Sequence, residues 1–325
     1  MAAVEAKAAV LRGFREPFEI ERLRLEPPDP SWKLVDVKAV GVCGRDVVVW
    51  KGGFTNLKPP LILGHEVFGE HEGRPVGVYP GVVGPECMTP DGSFSVASCT
   101  SYTILGEEVP GGYSTKLWAP GWNLVPLPDE EYAKYAAATC GVATYIHASK
   151  VAGLVAGMRV LVVGASGGVG VHGVQYLKML GAEVLGYTRS PMKGEVLRRL
   201  GVEPVLDPLG YRRLGRVDVV LENVGASTIN WSMRWLKPGG TLVLIGNVEG
   251  APITLERPAY VVMRELRIVG SAAYDKREYT EALKLIGEGA VKPLYRSYPL
   301  DRINEAYSDV ASGRLVGRAV LTVGG

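Results

Sequence analysis

The segment from residue 159 to 270 alternates short, nearly continuous apolar runs with segments of helical pattern. The first run, RVLVVGA (159–165), passes through the glycine loop GASGGVG (164–170) into a helical pattern that starts at Val171. Further strands are predicted at 182–188, 217–225 and 240–246, with helices between them at 191–201 and 228–240. Uninterrupted apolar strands between helices indicate a parallel sheet covered on both faces.

The first part of the chain has a different pattern, in which Gly and Pro clusters separate short β-type runs such as 34–42 and 74–83. This pattern predicts an antiparallel, barrel-like β domain. After residue 273 the pattern becomes mixed, with helices predicted at 278–289 and 301–313 and a closing strand at 317–323. We therefore predict two domains, one formed by residues 1–140 with 273–325 and the other by residues 141–272.

Composition supports two compact domains, because the 325 residues are 47% apolar and 22% charged. The formal net charge is only +2 and no basic run is present, so nucleic acid is not an expected partner. Glu5 and Lys7 interrupt the first apolar residues, and no stretch approaches the ~20 apolar residues of a membrane span. A cytoplasmic location and no membrane partner are expected. Gln175 is the only glutamine, which favours a thermophilic source.

The glycine loop is a candidate dinucleotide site. Gly164, Gly167 and Gly170 allow backbone N–H groups to approach a pyrophosphate, and the following helix presents the positive end of its dipole. The loop also contains Ser166, Gly168 and Val169. A tight turn between strand and helix without a ligand is the alternative.

The end of the second strand indicates which cofactor binds. NAD enzymes carry an acidic residue about 20 residues after the glycine loop, where it bonds the ribose hydroxyls. In this chain the stretch contains Thr188, Arg189, Ser190 and Lys193. A guanidinium, hydroxyls and an ammonium suit a 2′-phosphate, which predicts NADP(H), unless this stretch is simply a solvated surface loop.

Three residues of the β-rich region and its border are candidate metal ligands. Cys43, His65 and Cys140 are the soft and borderline ligands that zinc accepts, but they lie far apart in sequence. From the residues alone, a shared metal site and ordinary buried side chains both remain open.

These motifs, with the glycine loop and the domain order, resemble the zinc-dependent alcohol dehydrogenases of the medium-chain dehydrogenase/reductase superfamily over essentially the whole chain. In that family the cysteine of a GVCxxD stretch, the histidine of GHE and a cysteine just before the cofactor domain bind the catalytic zinc. The resemblance therefore implies zinc ligation by Cys43, His65 and Cys140. It also implies that Asp46 orients His65 and that Glu66 can approach the metal when its open position is empty.

The resemblance further implies a GroES-like β-barrel catalytic domain and a Rossmann domain with a doubly wound parallel sheet that binds NADP, with a cleft between them. Hydride would pass between nicotinamide and the carbon of a zinc-polarised ketone, aldehyde or alcohol. Relatives form dimers or tetramers, so a homo-oligomer that acts on a small molecule is expected. Further cofactor contacts are implied for Thr144, Asn223, Val224, Gly225, Gly246, Asn247, Val248 and Arg318.

Position 45 departs from the family pattern. Relatives carry Ser or Thr two residues after the first cysteine as a proton relay, whereas this chain has Arg45. A guanidinium cannot release a proton near neutral pH, so Arg45 either holds an anionic group, pairs with an acid such as Glu66, or turns to solvent. We expect poor alcohol oxidation and a preference for reducing bulky, hydrophobic carbonyls. Trp50, Trp118 and Tyr274 either line a hydrophobic substrate pocket or serve ordinary packing.

A second departure concerns the four-cysteine lobe that holds a structural zinc in many family members. Only Cys87 and Cys99 are present in this chain, fewer than the four ligands of a closed site. One catalytic zinc and no structural zinc are expected, with the two cysteines either paired as a disulfide or free.

Two other functions remain open. One is a zinc-free quinone or enone reductase of the same superfamily, whose glycine loop is similar but which generally lacks the cysteine and histidine ligands. The other is a nucleotide-binding protein without turnover, because the relay hydroxyl is missing.

Overall fold

The computed structural model describes residues 3–324. The chain divides into two compact units, the first containing the residues up to Cys140 together with those from Asp275 onward, and the second spanning Gly141–Tyr274. The sequence pattern placed the second boundary between residues 272 and 273. Among the described residues, no helix has the length and apolar character needed to cross a bilayer.

Both units contain many short strands. In chain order they are β1 (Val4–Leu11), β2 (Phe18–Leu25), β3 (Lys33–Val42), β4 (Glu66–His71), β5 (Arg74–Val78), β6 (Gly81–Val82), β7 (Thr103–Ile104), β8 (Lys116–Ala119), β9 (Leu124–Pro126), β10 (Arg159–Val163), β11 (Glu183–Tyr187), β12 (Glu203–Val205), β13 (Val217–Glu222), β14 (Leu236–Leu244), β15 (Arg267–Gly270), β16 (Tyr295–Pro299) and β17 (Arg318–Thr322).

The helices are interspersed with short 3₁₀ turns. The α-helices are α1 (Gly44–Trp50), α2 (Tyr132–Ala152), α3 (Gly170–Met179), α4 (Pro191–Arg199), α5 (Tyr211–Leu214), α6 (Ile229–Ser232), α7 (Pro258–Met263), α8 (Lys276–Gly287) and α9 (Ile303–Ala311). The 3₁₀ turns are Pro85–Cys87, Val96–Ser98, Gly121–Asn123, Met233–Trp235 and Leu300–Arg302.

The first unit is built on a mixed, mainly antiparallel sheet. Its strand order is β16-β17-β3-β4-β5-β9, with β8 also paired to β3, and β1 pairs antiparallel with β2. Val35, Val40, Val67 and Leu117 belong to its apolar core. In the register of β3 and β4, Gly41 lies opposite Glu66, so the end of β3 and the start of β4 are neighbours.

The second unit is the predicted parallel sheet. Its strand order is β12-β11-β10-β13-β14-β15, and every neighbouring pair is parallel. The order reverses between β10 and β13, which is the switch point where open α/β sheets bind ligands at the carboxyl ends of the strands. The structure confirms the predicted doubly wound arrangement.

One predicted element is partly wrong. The segment 228–240 was expected to be helical, but α6 ends at Ser232, a 3₁₀ turn covers Met233–Trp235, and β14 begins at Leu236. Pairing with β13 accounts for the change, because Leu236 lies opposite Val217 and Thr241 opposite Val219. Sheet pairing therefore overrides the local helical pattern.

Candidate functional site

Four side chains of the first unit converge on one point. Cys43 follows β3 and precedes α1, His65 and Glu66 lie at the start of β4, and Cys140 lies on α2. One ligand atom from each of these residues lies within 4.8 Å of those from the other three, and all four residues are buried. Neither Cys43 nor Cys140 is part of a disulfide among the described residues. The structure thus brings together the three expected ligands and Glu66, the residue expected to approach the metal when its open position is empty.

Asp46 fixes the orientation of His65. The Asp46 carboxylate is 1% exposed, and its Oδ1 lies 3.0 Å from Nδ1 of His65. Its Oδ2 accepts hydrogen bonds from the Cys43 N–H at 3.0 Å and from the Tyr113 hydroxyl at 2.9 Å. A carboxylate on Nδ1 favours the tautomer that carries its proton there, which leaves Nε2 as the lone-pair donor. The His65 Nε2 atom lies 4.0 Å from the Glu66 carboxylate, so this nitrogen faces the other candidate ligands.

Glu66 faces Arg318 in the interior of the first unit. The Glu66 Oε1 atom lies 3.0 Å from Nη2 of Arg318, and both residues are nearly inaccessible. Within the described part of the chain, neither carboxylate oxygen of Glu66 makes a well-aligned hydrogen bond. Gly41 is required beside this carboxylate, because a Cβ at that position would overlap Oε2 of Glu66. Burial raises the pKa of Glu66 to about 8, against the opposing effect of Arg318.

A hydrogen bond links the thiols of Cys43 and Cys140. This hydrogen bond with Cys140 lowers the pKa of Cys43 well below its ordinary value, and nearby Arg318 and His65 add to the effect. The same hydrogen bond and burial raise the pKa of Cys140. The environment therefore favours a thiolate at Cys43, which is the form that binds a metal.

The donor set suits zinc. Two cysteine sulfurs, an imidazole nitrogen held by a carboxylate and a carboxylate without well-aligned hydrogen bonds are ligands of the type that zinc takes. The charge of Arg318 beside Glu66 also offsets the anionic ligands in a buried place.

Arg45 pairs with an acid, which is one of the three alternatives given for it, but the acid is Glu107 and not Glu66. Its Nε lies 2.5 Å from Oε1 of Glu107 and its Nη2 lies 2.8 Å from Oε2. The guanidinium also lies over the ring of Phe54, 4.5 Å from its centroid. Glu107 is 6% exposed, and nothing in the sequence pattern marks it as a partner 62 residues away.

Cys87 and Cys99 form a disulfide across a separation of 12 residues. The Glu86 carboxylate lies beside them.

Of the aromatic residues considered for a substrate pocket, Trp118 belongs to the apolar core and Trp50 packs against it. Both indoles donate to backbone carbonyls, Trp50 to Glu16 and Trp118 to Leu25. Tyr274 is 5% exposed.

In the second unit, the glycine loop connects β10 to α3 at the switch point. Gly164 has a φ of +75°, a conformation that favours glycine. A Cβ at Gly170 would overlap the Gly164 carbonyl, so the close turn needs glycine there as well. Ser166 lies within this loop, and its hydroxyl lies 3.0 Å from that of Thr188 at the end of β11. Gly167, Gly168 and Val169 complete the loop.

The stretch after β11 is positively charged, with Arg189 and Lys193 in it. Arg189 is exposed and forms no ion pair with any residue in the described range 3–324. Burial and the neighbouring charge of Arg189 lower the pKa of Lys193. The Ser190 hydroxyl accepts a hydrogen bond from the Lys193 N–H and caps α4. This stretch therefore holds two cations near each other, close to the first turn of a helix.

The remaining predicted cofactor positions of the second unit lie at the carboxyl ends of β13 and β14 and on α2. The Asn223 amide donates to the Val163 carbonyl and the Tyr145 hydroxyl, each at 2.8 Å. The Val248 N–H donates to the Val224 carbonyl at 3.0 Å. The other members of this group are Thr144, half-buried on α2, Gly225, Gly246 and Asn247.

Glu222 supports this strand end and was not identified from the sequence. It is fully buried, and its Oε1 accepts hydrogen bonds from the Val224 and Gly225 N–H groups and the Thr228 hydroxyl. Its Oε2 accepts one from the Ser232 hydroxyl. Burial raises the pKa of Glu222 against these hydrogen bonds. A buried acid at the end of an apolar strand is the signal that would have indicated it.

Comparisons with known proteins place both units in one family. Residues 29–129 match the model of the alcohol dehydrogenase GroES-like domain, and residues 168–288 match that of the zinc-binding dehydrogenases. The chain is 30% identical to an acryloyl-coenzyme A reductase of Sulfurisphaera tokodaii, over 97% of this chain and 99% of that protein. It is also 30% identical to an alcohol dehydrogenase of Geobacillus stearothermophilus, over 98% of this chain and 99% of the relative.

Solved structures agree with this assignment. A thermostable alcohol dehydrogenase from Pyrobaculum aerophilum superposes with a TM-score of 0.89 at 26% identity, over 98% of this chain and 100% of that chain. A zinc-binding dehydrogenase from Sinorhizobium meliloti, solved with NADP, gives a TM-score of 0.83 at 26% identity, over 98% and 99% of the two chains. The chain belongs to the medium-chain dehydrogenase/reductase superfamily. It is therefore a nicotinamide-dependent oxidoreductase of small molecules, with the predicted GroES-like and Rossmann folds.

Proposed function

We propose that this protein is an NADP-dependent, zinc-containing alcohol dehydrogenase or carbonyl reductase. One observation carries the proposal: the donor atoms of Cys43, His65 and Cys140 converge with the Glu66 carboxylate within 4.8 Å, in a buried place. A role in packing alone does not explain this cluster, because burying two thiols, an imidazole and a carboxylate together costs free energy unless they bind something.

In this proposal Cys43, His65 and Cys140 hold the metal, and Glu66 approaches it when the open position is empty. A zinc ion held there would polarise the substrate oxygen as a Lewis acid. Asp46 fixes His65 through the 3.0 Å contact with Nδ1 and aligns Cys43 through its N–H group. Arg318 balances the charge of Glu66, from which it lies 3.0 Å away. Its predicted contact with the cofactor remains part of the proposal.

The cofactor is proposed to be NADP(H), which supplies or accepts the hydride. Backbone N–H groups of the glycine loop would bind the pyrophosphate, and Arg189, Ser190 and Lys193 would bind the 2′-phosphate. The exposed guanidinium of Arg189 and the absence of an acidic residue in the stretch 187–193 support this preference. Thr144 and the ends of β13 and β14 would contact the nicotinamide side.

The substrate is proposed to be a bulky, hydrophobic ketone or aldehyde. Reduction transfers a hydride to the carbonyl carbon and a proton to its oxygen. Arg45 cannot pass that proton, and its guanidinium is bound to Glu107 at 2.5 and 2.8 Å. Solvent must then supply it, which disfavours the oxidation of alcohols at neutral pH. We also propose one zinc per chain, a dimer or tetramer and a cytoplasmic location.

A second candidate is the reduction of a carbon–carbon double bond conjugated to a thioester or ketone. Acryloyl-coenzyme A reductases of Sulfurisphaera tokodaii and Metallosphaera sedula are each 30% identical to this chain over 97% of its length. In this reaction hydride adds to the β-carbon and a proton from solvent adds to the α-carbon. Arg45 fits it, because that proton does not pass to a metal-bound oxygen and needs no relay hydroxyl beside the first cysteine.

Steady-state oxidation of NADPH separates these functions. An aromatic ketone and acryloyl-coenzyme A are offered to the purified protein before and after removal of metal with a chelator. Our proposal predicts ketone reduction that is lost with the metal and returns with added zinc. Faster turnover of acryloyl-coenzyme A that survives chelation would favour the second candidate. No turnover of either substrate would contradict both candidates.

A further inference from the structure

A cavity in the second unit lies among α5, α6 and α7 and has no place in the proposed reaction. Its volume is about 220 Å³, and its lining includes Arg216, Arg234, Arg257, Tyr211 and Tyr260. This volume is below the ~300–1,000 Å³ of pockets for drug-sized ligands, so the cavity suits a small molecule rather than a dinucleotide.

Arg216 gives the cavity a fixed positive charge. Its Nη1 donates to the Leu236 carbonyl at 3.3 Å, to the Tyr260 hydroxyl at 3.0 Å and to the Arg234 carbonyl. The guanidinium carbon lies 4.8 Å from the ring centroid of Tyr211. These contacts hold the group in place but involve no carboxylate, and Arg216 forms no ion pair with any of residues 3–324.

Arg234 and Arg257 add two further cations. Across residues 3–324, neither of them forms a hydrogen bond or ion pair through its side chain, and the one acidic residue of the lining, Glu256, pairs with none of the three arginines within 4.0 Å. The lining therefore carries an excess of positive charge beside two aromatic rings. Arginine recognises phosphate through paired N–H donors, and a dianion would offset the mutual repulsion of these groups.

The cavity is separate from the cofactor edge of the same sheet. Arg216 directly precedes β13 and Arg234 lies just before β14, so both lie by the amino ends of these strands. The glycine loop follows the carboxyl end of β10, which is parallel to β13. A strand as long as β13, Val217–Glu222, spans roughly 20 Å at about 3.3 Å per residue, which keeps the cavity away from the cofactor phosphates.

We propose that this cavity is a second anion site, which binds a phosphate monoester no larger than a nucleoside monophosphate. The arginines bind the phosphate, and Tyr211 and Tyr260 flank the organic group. This inference does not depend on the substrate or metal proposed above.

Isothermal titration calorimetry with AMP, ribose 5-phosphate, inorganic phosphate and adenosine tests the proposal. The protein is first saturated with NADPH, which blocks the cofactor site. We expect AMP or ribose 5-phosphate to bind at one site per chain and adenosine not to bind. The double variant Arg234→Gln, Arg257→Gln should weaken this binding by at least about tenfold, since it removes two charge-assisted contacts. Exposed Arg212, which does not line the cavity, provides the matched control Arg212→Gln.

The outcomes are distinct. Binding only of inorganic phosphate, or equal binding of adenosine, would overturn the phosphate monoester assignment. Binding of AMP that disappears when NADPH is present would place it at the cofactor site and overturn the proposal. So would equal losses in the control and the double variant. If the protein does not bind NADPH, the Arg189→Asp variant replaces it as the test, and AMP binding unchanged in that variant supports the second site.

Discussion

Arg45 and Glu107 form a two-point ion pair, with Nε 2.5 Å from Oε1 and Nη2 2.8 Å from Oε2. The pair occupies the position where relatives are expected to carry a relay hydroxyl, two residues after Cys43. It holds the guanidinium over Phe54 and makes Glu107 a structural partner of a residue beside the proposed metal ligands. The cation is therefore held beside the site by Glu107, while its side chain stays 40% exposed to solvent.

Restoring a hydroxyl at position 45 should increase alcohol oxidation. Because Arg45→Ser alone would leave the buried Glu107 without its partner, the test variant is Arg45→Ser with Glu107→Gln. We expect the kcat for oxidation of propanol to rise about 10- to 100-fold, since general acid–base steps typically contribute ~10²- to 10⁴-fold. The matched control is Arg45→Ala with Glu107→Gln. Equal rates in the two double variants, with zinc content intact, would show that the hydroxyl is not the missing component.

Reversing the charge after β11 should change the cofactor preference. Arg189→Asp should weaken NADPH binding by about 10- to 100-fold, because a hydrogen bond to a charged group contributes ~1.5–3 kcal/mol. NADH binding should change little or improve. Fluorescence titration of both cofactors measures the effect, and Arg199→Asp, at an exposed position of α4, is the control. If the unmodified protein binds NADH and NADPH equally well, the assignment of the 2′-phosphate site is wrong.

Asp46 should control zinc affinity without touching the metal. Asp46→Asn weakens the contact that fixes Nδ1 of His65 at 3.0 Å, and changes of this kind typically cost about 10- to 100-fold in metal affinity. Tyr113→Phe removes only the hydroxyl bonded to Oδ2 of Asp46 and should have a smaller effect. Competition with a chromophoric chelator measures both dissociation constants. A zinc affinity in Asp46→Asn equal to that of the unmodified protein would contradict this role.

The disulfide should stabilise the fold independently of the metal. Cys87→Ser with Cys99→Ser opens a loop closed across 12 residues, which should lower the free energy of unfolding by about 2–3 kcal/mol. Denaturant unfolding compares this variant with the unmodified protein, with and without reductant. The two proteins should become equal in reductant. A difference that persists in reductant would show that the substitutions act through packing and not through the bond.

The parallel sheet could be predicted because its strands are apolar over their whole length and glycines mark the turns, as at Gly164 and Gly170. The helices α1 and α2 were not identified. Most of the side chains of α2 are buried, so it lacks the polar stripe by which an amphipathic helix is recognised. The helix predicted for residues 228–240 was partly wrong, because pairing with β13 decides where β14 begins.

For the candidate site, the metal ligands could be predicted from the sequence but the ion pairs around them could not. Cys43, His65 and Cys140 could be named because each lies in a recognisable motif, and their convergence follows from the fold. The ion pairs that surround them could not be named, because Glu66 meets Arg318 only through the neighbouring strands β3, β4 and β17. Glu107 comes from a loop without any motif. Contacts between residues so far apart in sequence depend on the register of the sheet, which a single sequence does not reveal.

The zinc content of the purified protein, compared with that of the Cys43→Ala, His65→Ala double variant, tests the central claim most directly. The Cys87→Ser, Cys99→Ser variant is the control, because it replaces two residues of metal-binding type that lie outside the proposed centre. Elemental analysis should find one tightly held zinc per chain in the unmodified protein and in the control, and essentially none in the Cys43→Ala, His65→Ala variant. Two tightly held zincs per chain, or an unchanged zinc content in the Cys43→Ala, His65→Ala variant, would contradict the proposed metal centre.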